Sequence, residues 1–143
     1  MNPQVALSAE FRKLVEGQMQ RTIQGIELTF FAIMEKQKIT PEEVKKEIDS
    51  IQENFVVLFQ KWNLEILYTL LLKKNSGFGG LKKVLGVNSR TLSDKLKLLQ
   101  SHGYLERNVQ TGPPLRVEYK LSFKGKNTVL LALPLLYYST ASV

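Results

Sequence analysis

The 143-residue chain contains no cysteine and only one histidine, His102. The first absence removes disulfides, thiolate zinc sites and thiol nucleophiles. The second leaves little for imidazole metal binding or acid–base relay. The glycines around Phe78 do not match a phosphate-binding loop. The longest apolar run, Val129 to Tyr138, is ten residues, about half of the ~20 that span a bilayer. The opening residues, MNPQVALSAEF, lack the basic and apolar regions of a secretory signal. These absences point away from an enzyme, a metal site, a cofactor and a membrane span, and favour a cytoplasmic setting.

Negative charge is scarce in one segment. Residues 1 to 72 hold eight basic and ten acidic side chains. Residues 73 to 126 hold twelve basic ones against Asp94, Glu106 and Glu118, and residues 127 to 143 hold none of either sign. The formal net charge of +7 is therefore concentrated between residues 73 and 126. A positive field confined to one third of a chain marks a surface for a polyanion more often than simple solvation does. With 43% hydrophobic residues, the chain can bury a real core.

The hydrophobic spacing predicts helices first. Ser8 is placed to cap one, and Phe11, Val15, Met19, Ile23, Ile26, Phe30 and Ile33 form its apolar stripe. Leu28 and Phe31 widen that stripe, and Gly17 and Gly25 weaken the helix interior. Thr40, Pro41 and Glu43 read as cap, first-turn proline and capping-box partner of a second helix. Val44, Ile48, Ile51, Phe55 and Leu58 share its face, so the two helices either form a hairpin or contribute to a dimer core. Asn63 is expected to cap a third, nearly all-apolar helix, with Trp62 anchoring the core beside it. A short helix from Phe78 to Leu85 follows, ended by Gly86. Asn88 is the expected cap of a fifth helix, with Leu92, Leu96 and Leu99 inside and Gly103 as its stop.

The period then changes from 3.6 to 2. Leu105, Arg107 and Val109 alternate with polar residues, as do Val117, Tyr119 and Leu121 beyond a Gly-Pro-Pro turn, giving a β-hairpin. Ser122 caps a last helix that Pro134 should kink or end. The fold class is thus mainly α with a small β-hairpin wing: a winged helix-turn-helix with an N-terminal helical extension. The outer side of the fifth helix carries Ser89, Arg90, Ser93, Asp94 and Lys97. Arginine can fork onto guanine, and serine can take phosphate or base edges. Asp94 either accepts from a cytosine amine or pairs with Arg90 or Lys97. The expected DNA contacts are Lys82, Lys83, Asn88, Ser89, Arg90, Thr91, Ser93, Asp94, Lys97, Arg107 and Arg116. A merely solvated face is the alternative for the outer side of the fifth helix, and plain solubilising charge is the alternative for Lys82 and Lys83. Lys124 and Lys126 either touch the DNA backbone or do nothing, and His102 is read as a residue at a helix end.

The segments KWNLEILYTLLL, GFGGLKKVLG, VNSRTLSDKLKLLQSHGYLERNV and PPLRVEYKLSFKG, between residues 61 and 126, resemble the HxlR family of winged-helix transcriptional regulators, within the MarR-like group. The resemblance implies a homodimer on a near-palindromic DNA site. It implies that the helix led by Ser89 and Arg90 enters the major groove. The wing would lie along the backbone or the adjacent minor groove, with Arg116 at its base. Three departures stand out. Gln60 replaces the usual glycine before Lys61-Trp62. The cysteine that some members use for sensing is missing. About 60 residues precede the match, where the family's N-terminal portion is usually short.

The expected organisation is an arm over residues 1–60, a DNA-binding domain over 61–126 and an apolar tail over 127–143, with arm and tail at a dimer interface. The leading functional reading is a sequence-specific, homodimeric regulator of transcription, acting as a repressor. A sequence-tolerant architectural DNA binder and a winged-helix protein adaptor are the alternatives.

Overall fold

In the computed structural model, which describes residues 3–139, six helices and three strands follow one another. They are α1 Pro3–Gln37, α2 Pro41–Leu58, α3 Asn63–Lys73, β1 Asn75–Gly77, α4 Phe78–Leu85, α5 Ser89–Ser101, β2 Leu105–Gln110, β3 Arg116–Leu121 and α6 Phe123–Ser139. They divide into two compact units. One is drawn from residues up to Ile51 and from Ala132 onward; the other is Gln52–Leu131.

The second unit holds the core. Ile66, Leu67 and Leu70 of α3, Leu81 of α4, and Leu92, Leu96 and Leu99 of α5 are all essentially inaccessible. Each such side chain contributes about 1.5–3 kcal/mol on burial, so this leucine-rich cluster fixes how the three helices sit. Val87, in the turn between α4 and α5, is buried with them. Trp62 and Phe78 pack partly buried against the same cluster.

Capping chemistry sets several boundaries. Thr40 Oγ1 accepts from the Glu43 amide at 3.2 Å, and a Glu43 carboxylate oxygen accepts from the Thr40 amide at 3.1 Å, completing the expected capping box. The Gly125 amide donates to Ser122 Oγ at 2.9 Å, as expected of a cap for α6. Two expectations fail. Residue 8 lies inside α1, whose helical backbone begins at Pro3. Asn63 does not cap α3: it is fully buried, and its Nδ2 donates to the Val57 carbonyl at 2.6 Å. The cap position belongs to Trp62, with φ 78°. Asn63 thus ties the end of α2 to the start of α3 across the bend between them.

The hairpin is as the alternation requires, but it is one part of a three-stranded antiparallel sheet in the order β1-β3-β2. The short strand β1, Asn75–Gly77, pairs with Glu118–Lys120 and had no apolar pattern to announce it. Helix α6 continues through Pro134 to Ser139, so the proline does not end it.

In the first unit, α1 leaves Leu14, Ile26, Leu28, Phe30, Phe31 and Ile33 between 46% and 74% exposed. Among the described residues, no single helix is long and apolar enough to cross a membrane.

Candidate nucleic-acid interface

The candidate surface is built from α4, the turn, α5 and the wing, all within Gln52–Leu131. Helix α4 is eight residues long and closes on Gly86, whose φ of 66° is left-handed. Glycine carries no steric cost there. Two residues later Asn88 opens α5: its Oδ1 accepts from the Thr91 amide at 2.8 Å. That bond satisfies one of the orphan donors of the first turn. The chain therefore turns sharply and presents the start of α5 while Leu92, Leu96 and Leu99 hold it down.

The expected contacts differ in exposure. Lys82 and Lys83 are exposed on α4. Asn88, Ser89, Arg90, Asp94 and Lys97 are exposed on or before α5, while Thr91 and Ser93 are half-buried. Asn88 has its side-chain oxygen committed to the cap, so its first role is to shape the helix start. Among the described residues the ion pairs are Lys45–Asp49 and Lys120–Glu106. Asp94 pairs with neither Arg90 nor Lys97, contrary to one expectation, and both cations are left uncommitted. Lys95 is turned aside, donating to Gln60 Oε1 at 3.3 Å.

The wing corrects a second expectation. Arg116 is not at its base: it opens β3 next to the turn and pairs with Gln110, the last residue of β2. Arg107 pairs with Tyr119. Successive residues on a strand point to opposite faces, and directly paired residues share one. Arg107, Val109, Val117 and Tyr119 therefore lie on one face, and Gln110 and Arg116 on the other. Both acids of the wing share the face of Arg116, and both are engaged. Glu106 is 3.4 Å from Lys120, and Glu118 accepts from Asn75 Nδ2 at 3.3 Å. The face of Arg107 has no carboxylate.

Lys124 has a structural task. Its Nζ donates to the His102 carbonyl at 2.8 Å, at the C-terminal end of α5, and lies 4.6 Å from the centre of the Tyr104 ring. A cation there complements the partial negative charge of the helix end. Burial pushes the Tyr104 phenol above its ordinary pKa of 10.0, because a buried phenolate loses its hydration. His102 itself is the cap residue at the C-terminus of α5, in keeping with its expected place.

Two short helices joined by a glycine turn, followed by a cationic hairpin, define a winged helix-turn-helix protein. The model of the HxlR-like helix-turn-helix family matches residues 57–137, and the chain belongs to that family. It is 38% identical over 68 residues to the uncharacterized HTH-type transcriptional regulator YdzF of Bacillus subtilis (strain 168), covering 47% of this chain and 62% of that protein. It is 34% identical over 71 residues to the uncharacterized HTH-type transcriptional regulator YvaP of the same strain, covering 49% and 65%. The chain thus spans less than two thirds of these curated relatives. In fold it is similar to the reduced form of the transcriptional regulator YodB from B. subtilis, at a TM-score of 0.57 and 20% identity, over 71% of this chain and 91% of that one. Both relatives are named as regulators of the helix-turn-helix type.

Proposed function

We propose that the protein is a homodimeric repressor that recognises a specific inverted-repeat DNA site. The carrying observation is the start of α5. Asn88 fixes the helix end, and Ser89 and Arg90 stand exposed beside it on a helix anchored by three buried leucines. Arginine held in this way presents a two-pronged donor to guanine O6 and N7, and helix N-terminal amides and serines suit phosphate. In this reading α5 lies in the major groove. Lys82 and Lys83 hold phosphates, Ser93, Asp94 and Lys97 follow along the groove, and Arg107 and Arg116 engage the flanking backbone or minor groove. No enzymatic activity is assigned, and the protein acts in the cytoplasm on the nucleoid.

The dimer reading rests on exposed apolar surface. Thr22, Gly25, Ile26, Thr29, Phe30 and Ile33 form one open, largely apolar side of α1. Leu130, Leu131, Leu135 and Tyr138 of α6 are 40–69% exposed. Apolar surface of this extent is covered in most proteins that stay in solution. A second copy covers it symmetrically and sets two α5 helices about 34 Å apart, one turn of B-DNA.

Selection of bound duplexes from a random pool tests the proposal. Enrichment of an inverted repeat supports it. Binding without sequence preference favours an architectural role instead, and the absence of salt-dependent DNA binding favours an adaptor.

A further inference from the structure

The two arginines of the wing occupy opposite faces of the sheet, Arg107 opposite Tyr119 where β1 also pairs with β3, and Arg116 opposite Gln110 nearer the two-stranded tip. A ribbon lying flat on one phosphate strand would use one face. A ribbon whose tip enters a groove meets phosphates on both sides, and the minor groove of B-DNA is only about 6 Å wide. The stretch from Arg107 through Val117 holds these two arginines and no carboxylate. Its charge therefore complements both walls.

The tip itself is apolar. Gly112, Pro113, Pro114 and Leu115 are all exposed, and Leu115 is 70% accessible. Glycine and proline are ordinary turn residues, so Leu115 is the apolar residue there that turn chemistry does not require. The apolar line also starts in the core. Leu105 is buried opposite Leu121, Tyr119 follows, then the Val109–Val117 pair with Val109 44% exposed, then Leu115. A single exposed leucine needs no explanation. An apolar line ending in two φ-restricted prolines and a leucine, with Arg107 on its own face and Arg116 on the opposite one, does call for a partner.

We propose that Leu115 is a minor-groove wedge: the wing tip enters between the two phosphate walls, and Leu115 presses on a base step. Apolar side chains used this way partly unstack a step and kink the duplex, at a cost that depends on the step. Pyrimidine–purine steps such as TA and CA/TG yield most readily. The protein then prefers DNA with such a step beneath each wing, at positions where no hydrogen bond reads a base. The two prolines limit the freedom lost when the tip docks. This inference rests on the reading of the wing as a DNA contact.

The test is selection from a random duplex pool by the full chain and by Leu115→Ser and Leu115→Met, with bending of the enriched duplexes measured by circular-permutation electrophoresis. The wild type and Leu115→Met are expected to enrich a pyrimidine–purine step at a fixed distance outside each half-site, and to bend it. Leu115→Ser should enrich the same half-sites without that step, and bind the wild-type duplex about tenfold more weakly. Its thermal midpoint should match the wild type, because residue 115 is exposed. Half-sites enriched with no step preference by the wild type, or with the step retained by Leu115→Ser, would overturn the wedge and leave DNA recognition standing. A wild-type chain that enriches nothing would overturn both.

Discussion

Gly125, in the first turn of α6, lies directly against the carbonyl of Tyr104, the residue that leads into β2. A β-carbon at 125 would overlap that oxygen, a backbone atom with no freedom to move aside. The Ser122 amide donates to the same carbonyl at 3.1 Å. The junction of α5, the wing and α6 is thus closed at one point. Gly125→Ala is expected to destabilise the protein by about 3 kcal/mol, at the upper end of overpacking costs. Urea unfolding followed by circular dichroism measures it; a loss under 0.5 kcal/mol would mean that the contact relaxes.

The cap at α5 supports the proposed recognition surface. Asn88→Ala removes the 2.8 Å bond to the Thr91 amide and should cost about 1 kcal/mol. Asn88→Asp keeps an acceptor and places a negative charge at the positive helix end, so it should retain the stability. The pair of unfolding curves isolates what the cap contributes to stability.

Arg90 and Lys83 should differ in kind. Arg90→Ala is expected to lose about 1–3 kcal/mol of discrimination between the selected site and scrambled DNA. Lys83→Ala should weaken both duplexes alike and reduce the salt slope of binding by about one. Fluorescence anisotropy titrations on both duplexes at several salt concentrations decide it.

The apolar side of α1 predicts self-association. Ile26 and Phe30, 62% and 47% exposed in the single chain, would each be buried twice in a symmetric dimer. Replacing either with Asp removes about 3–6 kcal/mol across the two copies, or at least about 100-fold in dimer affinity. Sedimentation equilibrium should show a dimer for the wild type and a monomer for the variants, with the circular dichroism of the winged unit unchanged.

Tyr104 carries a pH prediction. Its folded pKa is raised above 10.0 by burial. The native state therefore holds that proton more tightly than the unfolded chain. The resulting stability is full below pH 10 and is lost as pH rises through the folded pKa. Thermal midpoints measured from pH 9 upward should fall less steeply in Tyr104→Phe than in the wild type.

Much of this molecule was legible residue by residue. Thr40-Pro41-Glu43, Asn88 and Ser122 announce helix starts because a cap is a local bond, complete within a few residues. Leu92, Leu96 and Leu99 announce a buried face because helical period alone puts them on one side. The alternation around residues 105–121 announces a hairpin for the same reason. The cationic segment with its polar-tipped helix was visible in the same way, since exposure follows from lying opposite the leucines.

The rest depended on contacts that neither the helical nor the strand period announces. Strand β1 is three residues without an apolar rhythm, and it exists because β3 offers it an open edge. Asn63 reads as a cap, but the bend between α2 and α3 brings its amide to the Val57 carbonyl six residues back. Sequence alone determined which residues form the helices and the hairpin, because those choices are made by neighbours within one or two turns. The alternation also placed Arg107 with Leu105 and Val109, and Arg116 on the other face from Val117, because the buried face and the turn set a hairpin's register. Only the tertiary structure decided that β1 adds a third strand along β3 and that Asn63 is buried, because those pairings depend on elements that the local period does not contain.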